Sequence, residues 1–381
     1  MPTPHSASLG RLSFVDLFRG IFALLMLEGH ITRALLNSTI KAGAIYHVHE
    51  LAHSLTGAGF LFASGAAFGL ATVPRWDSYR RWSKNLAGRL GRLFALLAIG
   101  CLFHLTYFSF RQTIFHHTSE QLSSLLSMDI LQCIAVSGLL LQLVIVLLPT
   151  TRWFLPLTIA GCAVMGLVTP LVWTASARFP WWLGGSFNER SGSLFPLFPF
   201  LGFYLAGSAW GYVFVQAKQE ASESRFLRST RRCCAWLILG GLAACSPPLT
   251  RIYGQYWNAG PAFFFPRLGI IGLLMVLCHF AESRLLPALK AVVVMGRESL
   301  VAYIAHLVVL YGSVLNPNRN LSKWLGSERT LVEVALILLL LAGAMIGLCW
   351  IWNRFKRNHQ WKARGLQWSL AGYLIYCFVV A

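Results

Sequence analysis

The stretch Phe14–Leu36, FVDLFRGIFALLMLEGHITRALL, holds Asp16, Arg19, Glu28, His30 and Arg33 inside a run long enough to cross a bilayer. Each ionisable side chain at membrane depth costs roughly 2.5–3.5 kcal/mol even on lenient insertion scales. A helix that served only as an anchor would not keep them, so this one is expected to line a polar site. Arg19 and His30 are eleven residues apart. At about 3.6 residues per turn they face one side, about 16 Å apart along the axis. Asp16 lies within a turn of Arg19 and can pair with it. The plain alternative is a structural Asp–Arg pair with a histidine satisfied by a neighbouring helix.

Two other stretches repeat the arrangement. In GRESLVAYIAHLVVLYG, Gly296–Gly312, residues Ser299, Tyr303 and His306 share one helical face. Arg297 and Glu298 lie near its start, and in a single ideal helix Arg297 and His306 stand about 180° apart. Gly88-Arg89-Leu90-Gly91-Arg92 leads into a run that holds His104. Alone, that cluster reads equally well as the basic decoration of a cytoplasmic loop. Taken together, arginines collect at one end of several runs and histidines in the opposite halves. Arginine forks suit phosphates, and an imidazole suits removing a proton from a hydroxyl or amine during acyl transfer. Acyl-CoA is a cytosolic donor with several phosphates and an activated acyl group. Arg19, Asp16, Arg89, Arg92 and Arg297 are therefore read as the donor-binding set. His30, with Glu28, is the expected general base, and His306 with Tyr303 completes the chamber or stabilises the oxyanion.

The elements that must position these residues are membrane helices. The chain has 381 residues, 56% hydrophobic and only 12% charged, with a mean hydropathy of +0.60. Soluble domains carry about 25% charged residues. The expected fold is an all-α polytopic bundle forming one domain over 1–381, with no separate soluble domain and no repeat. Eleven runs approach the roughly 20 apolar residues of a span, the seventh and last being short: 14–36, 52–73, 93–110, 125–148, 153–174, 194–216, 233–249, 262–281, 291–314, 330–352 and 365–381. On alternate sides of these runs the Lys and Arg residues divide twenty against eight. The richer side includes Arg75–Arg92, Lys218–Arg232, Lys290 and Arg354–Arg364, and is expected to be cytoplasmic, with the N-terminus inside. The net charge of +19 sits mostly in those short loops, which excludes nucleic acid as the expected partner. None of the nine cysteines forms a CxxC or a Cys/His cluster of zinc spacing, so no metal is expected. The opposite loops, near 37–51, 111–124, 175–193, 250–261 and 315–329, are rich in His, Trp, Tyr and Asn, as in Pro180-Trp181-Trp182 and Tyr253-Gly254-Gln255-Tyr256-Trp257. These are interfacial belt residues or stacking surfaces for a sugar.

RLSFVDLFRGIFALLMLEGH resembles the first-helix signature of the transmembrane acyltransferase superfamily, an Arg and a His with ten residues between them, as in Arg19 and His30. Arg89-Leu90-Gly91-Arg92 resembles the paired-arginine motif of membrane O-acyltransferases. FLFASGAAF at Phe60–Phe68, MDILQCIA at Met128–Ala135, FPLFPFLGFYLAG at Phe195–Gly207 and GRESLVAYIAHLVVLYG are similar to the heparan-alpha-glucosaminide N-acetyltransferase-like branch of small bacterial proteins. The resemblance implies a helical bundle, in a bacterial cytoplasmic membrane, that takes acetyl from cytosolic acetyl-CoA and passes it to a glycan or glycolipid on the outer side; a homodimer is compatible with it. In the animal lysosomal enzyme the catalytic histidine lies in the loop after the first helix, which here holds His47, His49 and His53. His30 is preferred, with His49 and His47 next; His116, His117, His279 and His359 are expected to be structural or solvated. The competing reading is a proton-coupled transporter or flippase for an anionic or glycan substrate, which would use the same intramembrane charges.

Overall fold

The computed structural model describes residues 11–116, 118–176, 178–189, 192–246, 259–285, 287–313 and 316–380. They are helical throughout, with one isolated β-bridge between Leu36 and Arg329. The main helices are α1 (Ser13–Leu35), α2 (Ala44–His53), α3 (Leu55–Thr72), α4 (Lys84–Phe103), α5 (Ile130–Leu147), α6 (Phe154–Ser176), α7 (Leu197–Gln219), α8 (Glu223–Ala243), α9 (Pro261–Leu285), α10 (Lys290–Arg297), α11 (Ser299–Leu310), α12 (Leu331–Asn358) and α13 (Gln360–Val380). Each of the eleven apolar runs coincides with one or two of these helices over most of its described residues. Seven helices are long and apolar enough to cross a bilayer, or eight if the bent pair α10–α11 is one span. The runs at α1, α8 and α13 fall outside those seven. For α1 the reason is its charge: Asp16, Arg19, Glu28 and Arg33 all lie within it.

Two compact units are assembled from interleaved segments. The first is built mainly from Gly57–His104 and Ser123–Leu277. Here α3 and α7 meet backbone to backbone: a Cβ at Gly65 would lie 1.9 Å from the Tyr204 carbonyl oxygen, and one at Gly207 2.0 Å from that of Phe62. Beside them Arg89 is 5% exposed, sandwiched between the rings of Phe68 and Tyr79 at 4.1 and 3.4 Å. Its guanidinium donates to Gln142 Oε1 and Thr72 Oγ1, both at 2.9 Å, joining α4 to α3 and α5.

The second unit comprises Ser13–Thr56, Leu105–Leu122 and Cys278–Ala381. The end of α1 is tied to the start of α12 by Asn37 N–H to the Arg329 carbonyl (3.0 Å) and Arg329 N–H to that of Leu35 (2.9 Å). α12 then begins with a capping box in which Thr330 and Glu333 satisfy each other's backbone N–H groups. Two expectations are corrected here. Part of 37–51, read as a loop, is helical: AIYHVHELAH forms α2. Its amphipathy is inverted, with Ile45, Val48 and Leu51 at 87, 67 and 54% exposure while His49 and Glu50 turn inward. An apolar outer face with a polar inner one is the pattern of a helix lying against lipid. The run 291–314, read as one helix, breaks at Glu298, where α10 and α11 meet at 83°. The break is held from outside, because the Glu298 carboxylate, 6% exposed, accepts from Lys356 Nζ (2.7 Å) and Asn353 Nδ2 (2.8 Å) on α12.

α10 lies directly on α1: a Cβ at Gly296 would stand 1.8 Å from the Asp16 carbonyl oxygen. Gly296→Leu is therefore expected to force the helices apart and cost about 1–3 kcal/mol or more, read as a clear fall in the thermal midpoint of the purified protein. Gly347→Leu on α12, where nothing lies within 4 Å of the added carbon, serves as the control and should leave the midpoint nearly unchanged. Equal effects of the two would contradict the packing described.

Candidate active site

Three helices of the second unit, α1, α2 and α11, bring together four histidines and two glutamates. The amphipathic period of α2 places Tyr46, His49, Glu50 and His53 on one side. That side is clamped to α1 by Arg33, which donates to both Glu50 oxygens, with Nε at 3.0 and 2.9 Å and Nη2 at 2.6 Å. One turn before Arg33, Glu28 accepts from Thr32 Oγ1 (2.9 Å), and His49 Nε2 lies 2.8 and 2.9 Å from its two oxygens. His49 Nδ1 faces Glu50 Oε1 at 3.7 Å. Between these pairs the chain approaches as closely as atoms permit. A Cβ at Gly29 would sit 2.0 Å from Cε1 of His53, whose ring stacks on that of His49 with centroids 6.1 Å apart.

The His30 ring stands 6.3 Å from that of His53; His30 Nδ1 lies 2.9 Å from His306 Nε2, and His306 Nδ1 lies 2.8 Å from the Ala302 carbonyl oxygen. The carbonyl can only accept, so His306 Nδ1 carries a proton. Neutral His306 then presents a lone pair at Nε2 and takes the proton offered by His30 Nδ1. This chain of assignments, which follows from the network itself, leaves neutral His30 with its basic lone pair on Nε2. His306 is 1% exposed, and Tyr303, one turn earlier, sets its ring edge-on to it at 5.7 Å. The Tyr311 hydroxyl donates to the His30 carbonyl at 3.1 Å. The break at Glu298 explains how one sequence stretch serves two places. Arg297 ends α10, while Ser299 begins the new helix that delivers His306 about 10 Å further along its axis.

Asp16, 5% exposed, accepts from Arg297 Nε at 3.0 Å, joining α1 to α10. Arg19 sits half-buried on α1. Arg297 also borders a cavity of about 580 Å³ with Lys290, Trp350, Asn353, Arg354 and Arg357, four residues of α12 among them. Of these, Lys290, Arg354 and Arg357 are legible in the sequence only as loop charge, and Trp350 and Asn353 carry no local signal. His47 is exposed, and two residues from His49 on a helix it points about 200° away; it does not join the cluster. In the first unit, Arg89 is consumed by the packing described above and Arg92 is exposed. His104 caps the end of α4 and bonds Ser127 Oγ at 3.1 Å. His279 packs against Phe14 and Phe280, His116 is exposed, and His359 caps α12 beside Phe355. His117, residues 253–257 and the side chains of Trp181 and Trp182 lie outside the described residues. Among the described residues no group of three or more His, Cys, Asp or Glu is placed to hold a metal ion.

A family model described as heparan-alpha-glucosaminide N-acetyltransferase, catalytic, matches residues 11–243, more than half of the chain. The chain belongs to this family. It is thus an acetyltransferase-type membrane enzyme, in keeping with its apolar helices. The matched segment contains α1 and α2, with Glu28, His30, His49 and His53; Arg297, His306 and α12 lie beyond it. No curated protein and no solved structure matches the chain.

The contact at Gly29 gives a direct test of the cluster. Gly29→Ala must displace the His53 ring and with it the stack on His49. It is expected to lower stability by about 1–3 kcal/mol and to depress turnover, as measured by thermal unfolding and by acetyl transfer. Restoration of the midpoint by adding His53→Ala would show that the two side chains collide.

Proposed function

We propose that the protein transfers an acetyl or other short acyl group from cytosolic acyl-CoA to a hydroxyl or amine of a glycan or glycolipid presented at the opposite side of the membrane, with His30 as general base. The observation that carries this reading is the hydrogen-bond chain from His30 through His306 to the Ala302 carbonyl. It holds His30 in one tautomer and orientation, as an imidazole base requires.

In the proposed step His30 Nε2 takes the proton from the acceptor hydroxyl or amine as its oxygen or nitrogen attacks the thioester carbonyl. The new C–O or C–N bond forms, the C–S bond breaks, and the proton passes to the departing thiolate, giving free thiol. Tyr303, edge-on to His306, is the proposed oxyanion-stabilising group. Arg19 and the Asp16–Arg297 pair stand at the start of α1, on the side whose loop charges mark it as cytoplasmic, which suits a phosphate-bearing donor. Arg89, enclosed by Phe68, Tyr79, Thr72 and Gln142, has a packing role in this reading.

A second reading takes His49 as the base. It is favoured by the Glu28 carboxylate on its Nε2, an arrangement that fixes an imidazole for proton transfer. Against it, Nε2 of His49 is engaged by Glu28, and its other ring nitrogen, Nδ1, is buried and lies 3.7 Å from Glu50 Oε1. Glu28 and His49 then serve to hold α2 over the site. Purified enzyme with labelled acetyl-CoA and a glycan acceptor separates the two. His30→Ala is expected to lose about 10²–10⁴-fold in transfer rate, and His49→Ala much less. The reverse order would move the base to His49. Normal turnover in both variants, or substrate flux across proteoliposomes without any acyl-CoA, would remove the acyltransferase mechanism as written.

A further inference from the structure

The cavity at the junction of α10 and α12 is lined by Lys290, Arg297, Arg354 and Arg357, together with Trp350 and Asn353. Its charge is unbalanced. Asp16 accepts from Nε of Arg297, and Glu298 is occupied by Lys356 and Asn353. Lys290, Arg354 and Arg357 make no ion pair or hydrogen bond among the described residues. Scattered loop cations would explain a positive surface, but not their convergence from two helices on one concave space of about 580 Å³. Trp350, 51% exposed, adds a flat aromatic wall beside these charges, with Arg354 5.5 Å from its ring centre.

We infer that this cavity binds the phosphorylated adenosine end of the donor: its 3′-phosphate and diphosphate on Lys290, Arg297, Arg354 and Arg357, and its purine against Trp350. The inference rests on the acyl-CoA reading above and adds a set of residues that lies outside the family-matched segment. The chemistry fits each part. Several phosphates on one small molecule meet several uncompensated cations, and guanidinium forks bind phosphate bidentately. The aromatic face accepts a planar base. The placement fits too. Arg297 is separated only by Glu298 from α11, whose His306 holds His30, so a molecule seated here lies at the foot of the helix that carries the proposed base.

Phosphate could also be presented by an anionic lipid headgroup, and the test distinguishes the two. Full-length protein in nanodiscs of zwitterionic lipid is titrated with adenosine 3′,5′-bisphosphate, by direct binding that needs no turnover, and assayed for the KM of acetyl-CoA. The double variant Arg354→Gln/Arg357→Gln and Lys290→Gln are compared with the parent, and Gly347→Ala on the same helix controls for folding. Loss of bisphosphate affinity by tenfold or more, with a parallel rise in KM and a smaller advantage of acetyl-CoA over its 3′-dephospho form, is expected. Unchanged bisphosphate affinity in the variants overturns the inference. So does a result in which they alter only the dependence on anionic lipid in phosphatidylglycerol nanodiscs. If the parent binds the bisphosphate through these residues yet transfers no acetyl group, the cavity assignment stands and the acyltransferase reading fails.

Discussion

An ionisable side chain inside a membrane protein must find its partner within the protein, because the surrounding lipid offers none. That requirement organises the whole second unit. Glu28 is met by Thr32 and His49, Arg33 by Glu50, His30 by His306, Asp16 by Arg297, and Glu298 by Lys356 and Asn353. Each of these contacts except Glu28–Thr32 joins two helices. The polar groups therefore specify which helices meet and in what register, a task that interchangeable apolar side chains could not perform as selectively. The inverted amphipathy of α2 is the same requirement seen from outside: Ile45, Val48 and Leu51 face outward so that His49, His53 and Glu50 can face in.

Two departures from regular helix turn this polar framework into a site. The break at Glu298 redirects the chain by 83° and assigns Arg297 and His306 to different tasks. One faces the cation-lined cavity and the other pins His30. The second departure is the removal of side chains where helices touch. At Gly20 an added Cβ would meet the Val292 carbonyl oxygen at 2.1 Å, and at Gly29 it would meet the His53 ring, so glycine allows α1 to carry neighbours at closer range than any other residue would. The cation-lined cavity and the histidine cluster both border α1 and its neighbours within the second unit.

Much of this was legible in the sequence, because intramembrane charge is rare enough to mark itself. The apolar runs, the density of charge in α1 and the nearness of His306 to His30 follow from apolar run length and from His or Arg placed inside it, whereas the sequence offered Asp16 to Arg19 and not to Arg297. What was not legible depended on three-dimensional pairing. Arg89 and Arg297 have the same sequence appearance, a basic residue beside glycine at a helix end, yet one is enclosed by Phe68 and Tyr79 and the other lines a cavity. His47 and His49 differ only by the helical phase of α2, which a loop reading does not supply. Lys290, Arg354 and Arg357 looked like the ordinary marking of a cytoplasmic side, since convergence on one space leaves no trace in local spacing. Their positions toward one end of the amphipathic α10 and of α12, on the same predicted side, are the one signal that could have joined them.

In the proposed reaction the second unit holds both ends of the donor, with its reactive carbon delivered to the histidines of α1 and α11. The decisive measurement is a structure of the protein with a thioether analogue of acetyl-CoA. Phosphates are expected on Lys290, Arg297, Arg354 and Arg357, with the chain of the analogue following α11 and its acyl carbon beside the His30–His306 pair. An analogue bound with its acyl end remote from every histidine of that cluster, or seated on Arg92 in the first unit, would overturn that assignment.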